Sequence, residues 1–137
     1  MKNYKKMYFK KIGNKKRGFI TALEQNKNIP FLIKRVYYNY FTPADVSRGY
    51  HAHKKLEQVL LCVSGNIKVK VDDGNKAEEI DLNNPNEGLY IGPGVWREMY
   101  DYSKNSVLLV LASDYYDEED YIRDYDEFVN TIKKIKS

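Results

Sequence analysis

The sequence predicts an all-β chain, a barrel or sandwich of short strands with one amphipathic helix packed on it at the C-terminus. Three observations carry that prediction. Segments rich in β-branched and aromatic residues recur along the 137 residues, separated by turns containing Gly or Pro. Residues 66–72 alternate strictly, with Ile67, Val69 and Val71 on one face and Lys68 and Lys70 on the other. After Ser113 the apolar period lengthens to that of a helix, through Tyr121, Ile122, Tyr125, Phe128, Val129, Ile132 and Ile135.

Taken in order, residues 2–16 are basic with Tyr4, Met7, Tyr8 and Phe9 interleaved, and read as an edge strand followed by a solvated turn at residues 13–16. Residues 18–23 form a short strand, and residues 24–30, polar and ending in Pro30, a loop. Residues 33–41 make the next strand, with Thr42-Pro43 opening a loop that runs to Arg48. A long strand is expected from Arg48 through His51, His53 and Leu60 to Val63, stopping at Ser64-Gly65. Residues 66–72 and 76–82 pair as a hairpin through Asp73-Gly74. Residues 89–91, 96–102 and 107–112 complete the strands, the last apolar on both faces and therefore central. The helix is expected over 117–136. Asp117, Glu118, Glu119 and Asp120 at its start, and Lys133, Lys134 and Lys136 at its end, suit the helix dipole. The division is one domain over 1–137, a β-barrel to 116 followed by the helix.

Composition narrows the partners. A net charge of +4, from 23 basic and 19 acidic residues, suits a ligand carrying phosphate but is too small to argue for nucleic acid. Cys62 is the single cysteine, which excludes an internal disulfide, and its apolar neighbours read as a buried inert thiol. The N-terminal segment lacks the apolar core of a signal peptide, and no apolar run approaches the roughly 20 residues that cross a bilayer. A cytoplasmic address and no membrane contact are expected. The 13 tyrosines offer apolar rings with hydroxyls for a core or a ligand pocket.

The chemistry concentrates at Arg48-Gly49-Tyr50-His51-Ala52-His53, which holds both histidines of the chain, two apart. On a strand they share a face, as half a metal site or as a proton-transfer pair. The pattern His-x-His, then a carboxylate, then a glycine closing the strand resembles the cupin (jelly-roll) barrel, whose metal-binding forms add a third histidine from a second block. Here Gln58 stands in the carboxylate slot, with Glu57 one residue off, and Arg97 stands in the third-histidine slot. An amide is a poor ligand and guanidinium is none, having no free lone pair. No metal and no other cofactor are expected. A metal-free histidine pair instead removes a proton beside a ketone and passes protons between the oxygens of the resulting enediol. Arg17, Arg48 and Arg97 are the candidate cations for an anionic group or a developing oxyanion.

Further motifs sharpen the resemblance. Ile29-Pro30-Phe31, residues 34–38, Arg48 to Lys54, Glu57-Gln58, residues 88–93, Trp96-Arg97-Glu98-Met99 and residues 111–116 together resemble the dTDP-4-keto-6-deoxyglucose 3,4-ketoisomerases over nearly the whole chain. The resemblance implies a metal-independent isomerase making a dTDP-3-keto-6-deoxyhexose for 3-amino sugars of cell-surface glycans, working as a homodimer with N-terminal strands exchanged. It implies His51 as the carbon base and His53 as the oxygen shuttle, or the reverse. It also implies contacts from Tyr37 and Arg48 to sugar or pyrophosphate, with Trp96 walling the pocket. Members vary at the positions of Arg17 and Arg97, and Arg97 favours the gluco product over the galacto one. A 3,5-epimerase-like cupin and a non-catalytic sugar-nucleotide-binding cupin remain open alternatives.

Overall fold

The structure, a computed structural model, describes residues 3–136. The expected strand start at Lys2 and the Lys136 side chain at the helix end lie outside the described residues. The strands run in order β1 (Tyr4–Tyr8), β2 (Ile12–Asn14), β3 (Gly18–Ile20), β4 (Arg35–Tyr40), β5 (Arg48–His53) and β6 (Gln58–Ser64). They continue as β7 (Ile67–Asp72), β8 (Ala77–Leu82), β9 (Glu87–Ile91), β10 (Trp96–Tyr100), β11 (Val107–Ala112) and β12 (Tyr121–Ile122), before helix α1 (Tyr125–Lys136).

Two sheets enclose the core, one ordered β1-β9-β6-β11-β4 and the other β12-β5-β10-β7-β8, while β2 and β3 form a separate hairpin. The alternation read in β7 buries Ile67, Val69 and Val71 against Leu60, Cys62, Leu108 and Val110 of the facing sheet. β6 and β11 are apolar on both faces because each has two burials to satisfy. Val59, Leu61 and Leu111 point outward, under Phe9, Ile29 and Phe31. The loop at 24–30 is thus a packed buttress, and Ile29 within it is fully buried. Two facing antiparallel sheets with a helix at one end make the all-β cupin jelly roll that the sequence predicts.

Two sequence expectations are corrected. The long strand from Arg48 to Val63 is two strands in different sheets, since the chain turns a corner at residues 54–57. Lys54 and Lys55 are exposed there, and Leu56 is tucked inside. The helix begins at Tyr125, not at 117. Asp117 instead caps one 3₁₀ turn over Glu118–Asp120, accepting from the Glu119 N–H. Tyr121 and Ile122 then pair with His53 and Ala52 as β12, so the barrel extends past residue 116. Asp124 accepts from the Glu127 N–H at 2.9 Å and starts the helix. Ile122 matches the helical period because it and Phe128 face one apolar layer, whereas Tyr121, on the opposite face of β12, packs on the two histidine rings.

That layer joins Phe128 of α1, fully buried, to Ala52, Trp96 and Ile122. The Tyr125 hydroxyl donates to Asp72 Oδ2 at 2.6 Å at the helix start. Phe128→Ala is expected to cost about 3–5 kcal/mol. The measurement is a urea melt, in which the midpoint falls while the slope stays constant.

Candidate active site

The site rests on a β-bulge. Across β5 and β10, His51 pairs with Arg97 and Gly49 with Glu98, leaving Tyr50 as the extra residue. Gly49 and Tyr50 carry φ of 91° and 59°. A side chain on residue 49 would come within 2.9 Å of the Arg97 carbonyl, so only glycine allows this approach. The bulge shifts the strand phase by one residue. Arg48, opposite Met99, and His51, opposite Arg97, therefore share the inner face although they are three apart.

The two imidazoles meet edge to face with centroids 4.8 Å apart. The Tyr121 ring lies against both, 4.9 Å from His51 and 4.4 Å from His53, and the Arg123 guanidinium lies over that ring at 4.1 Å from its centroid. His53 and Arg97 are each 1% exposed. Arg97 Nη1 donates to Gln58 Oε1 at 2.5 Å and Nη2 to the Val95 carbonyl at 3.1 Å. With its Oε1 occupied, Gln58 turns Nε2 toward the Tyr37 hydroxyl and donates to it at 3.1 Å. Because that oxygen is accepting, the Tyr37 hydroxyl proton is directed elsewhere.

Burial first, and the Arg97 charge second, push His51 down to about 3 and His53 down to about 2. Both rings are therefore neutral at pH 7. The contact of His53 Nδ1 with Asp120 Oδ2 at 3.0 Å is a neutral N–H donating to a carboxylate, with no ion pair formed. Burial lowers Arg97 to about 10, which leaves it cationic, and raises Tyr37, which keeps its proton.

These shifts set an acid sensitivity. The unfolded chain protonates both histidines below about 6.5, whereas the folded chain does not until about 3. Stability therefore falls with pH over that window, by up to about 1.4 kcal/mol per pH unit per histidine. Urea titrations should give the His51→Asn/His53→Asn double variant a flatter profile than the parent between pH 7 and 4. Identical profiles would contradict the neutral assignment.

His51, Arg35, Tyr37, Asn39, Arg48 and Arg123 border a cavity of about 470 Å³. His53, Lys55, Ser113, Asp117 and Asp120 border a second of about 220 Å³, and Arg35 and Tyr121 line both. The structure thus gathers His51, His53, Tyr37, Arg48 and Arg97. It does not bring Trp96, which alternates with Arg97 along β10 and packs on Phe128 and Tyr125 beneath the helix. Arg17 is exposed at the β2–β3 turn and lines neither cavity. Tyr121, Asp120, Arg35 and Arg123 join the site without having been singled out from sequence. The donor set does not fit a divalent ion, since Gln58 Oε1 is engaged by Arg97 and that cation would repel one. Among the described residues, no three His, Cys, Asp or Glu side chains gather as ligands, and no helix is long and apolar enough to cross a membrane.

The fold and this site define a cupin enzyme, and comparison with known proteins gives the branch. The chain is 59% identical over 127 residues, 93% of its length and 91% of the relative's, to the TDP-4-oxo-6-deoxy-α-D-glucose-3,4-oxoisomerase of Aneurinibacillus thermoaerophilus. A double variant of the QdtA 3,4-ketoisomerase from Thermoanaerobacterium thermosaccharolyticum, in complex with TDP, superposes with TM-score 0.95 at 50% identity, covering 98% of this chain and 97% of that one. The WlaRB TDP-quinovose 3,4-ketoisomerase from Campylobacter jejuni superposes with TM-score 0.90 at 51% identity, over 95% and 99%. The FdtA family, described as WxcM-like, C-terminal, matches residues 2–133. The chain belongs to this family of sugar-nucleotide 3,4-ketoisomerases, and it is an isomerase.

Proposed function

We propose that the chain converts dTDP-4-keto-6-deoxyglucose to dTDP-3-keto-6-deoxyglucose, with the two histidines moving the protons and no ion taking part. The observation that carries this reading is the pair of touching imidazoles beside a buried guanidinium. The C4 ketone acidifies the C3–H, which His51 removes as general base. The electron pair moves into the C3–C4 bond and gives an enediolate, whose charge the buried Arg97 cation offsets. His53 takes the proton of the C3 hydroxyl and returns it to the C4 oxygen, while the proton held by His51 passes to solvent and C4 takes one from solvent on the opposite ring face, as the gluco configuration requires. Protons and electrons balance, and the enzyme ends as it began. Tyr37, its hydroxyl aligned by Gln58, donates to the reacting oxygens. Arg48 holds the pyrophosphate at the mouth of the larger cavity.

The gluco configuration at C4 is supported by Arg97 and by the likeness to an enzyme named for TDP-quinovose, which is the 6-deoxyglucose series. We further propose a cytoplasmic homodimer with exchanged N-terminal strands. Val36, Tyr38, Tyr40, Phe41 and Val63 leave an apolar surface exposed for a second copy. The β2–β3 hairpin pairs with neither sheet in this chain and would carry Arg17 to the partner's pocket. Proton NMR of the product tests reaction and stereochemistry together. A C3 ketone with a large axial H4–H5 coupling is expected. A small coupling would overturn the gluco assignment, and a retained C4 ketone would overturn the isomerisation.

A further inference from the structure

Asp120 lies 67 residues from His53 in sequence, yet it closes the corner that follows the histidine. Its backbone carbonyl accepts the Lys54 N–H at 2.9 Å. Oδ1 accepts the Lys55 N–H at 2.8 Å, and Oδ2 accepts the Leu56 N–H at 3.2 Å together with His53 Nδ1 at 3.0 Å. A carboxylate only accepts, so His53 must hold its single ring proton on Nδ1. The other nitrogen, Nε2, is then a bare lone pair, buried and with no hydrogen-bond partner among the described residues.

We propose that Asp120 is a positioning residue for the isomerisation, one that fixes the His53 tautomer so that Nε2 takes up the migrating oxygen proton. This rests on the reaction proposed above but makes its own claim, about which nitrogen carries hydrogen. A capping role alone would require the carboxylate to meet only the backbone N–H groups of residues 55 and 56. Its simultaneous contact with the ring makes the corner and the tautomer one device, comparable in logic to an aspartate that orients a catalytic histidine.

Asp120→Asn separates the two roles. The new amide oxygen still accepts a backbone N–H, but the amide nitrogen donates to Nδ1 and drives the proton onto Nε2. The expected loss in kcat is about 10²- to 10⁴-fold, with KM for dTDP-4-keto-6-deoxyglucose changed little. Nitrogen NMR of protein carrying ¹⁵N-histidine reads the tautomer directly. His53 should show Nδ1–H in the parent and Nε2–H in D120N, and D120E should restore the parent tautomer and part of the rate. A parent His53 protonated on Nε2, or a D120N enzyme with unchanged tautomer and kcat, would overturn the proposal. The parent spectrum decides even if D120N fails to fold, and it does so even if the substrate assignment is wrong.

Discussion

His51→Asn is expected to lower kcat about 10²- to 10⁴-fold while leaving the affinity for dTDP near that of the parent. Asparagine is polar and close in size, so the inner face of β5 stays filled and the bulge at Gly49-Tyr50 is undisturbed. What disappears is a ring nitrogen, unpartnered at Nδ1, that gains and loses a proton beside the cavity. Turnover assays with calorimetric titration of dTDP check both halves. A variant that turns over normally would remove His51 from the chemistry. If the parent bound dTDP tightly and never turned over, the chain would be a binding protein instead.

The second large effect belongs to Arg97. Arg97→Met keeps an unbranched apolar stem, two atoms shorter, but removes the one cation that both histidines feel most strongly after burial. Both rings should then titrate higher, moving up from about 3 and about 2. The enediolate loses its buried counter-charge, and Gln58 loses the partner that fixes its amide, so the Tyr37 hydroxyl is no longer aligned. A fall in kcat of about 10²- to 10³-fold is expected, the usual scale for losing one preorganised oxyanion donor. Lysine at 97 should recover part of the rate, since it restores charge without the fork that reaches Gln58 and Val95 together. Histidine NMR titrations and steady-state kinetics on both variants check this. Unchanged histidine titration in R97M would refute the electrostatic role.

Local patterns made the barrel legible. The alternation in 66–72, the Asp73-Gly74 turn and the two-faced apolar run 107–112 each report a neighbour-scale constraint, and each stands where expected. The shared face of His51 and His53 was equally readable. That Arg48 joins them depended on a bulge, for which Gly49 was the sole local sign. Trp96 was misassigned to the pocket although pleating alone separates it from Arg97: adjacent residues of one strand face opposite ways. The strand break after His53 had its signal in Lys54-Lys55, charges that a strand buried on both faces does not tolerate. Tyr121 was hidden because a short strand followed by a helix imitated one helical period. Asp120 was hidden for a different reason, since its partners lie across the fold and no sequence spacing encodes them.

In the proposed reaction paired neutral imidazoles take the C3 proton and relay the oxygen proton, so that the carbonyl moves from C4 to C3 and C4 gains its hydrogen from solvent. Turnover of dTDP-4-keto-6-deoxyglucose in D2O, followed by NMR, tests it most directly. A dTDP-3-keto-6-deoxy product carrying deuterium at C4 and none at C5 is predicted. Deuterium at C5 with the C4 ketone retained would contradict it.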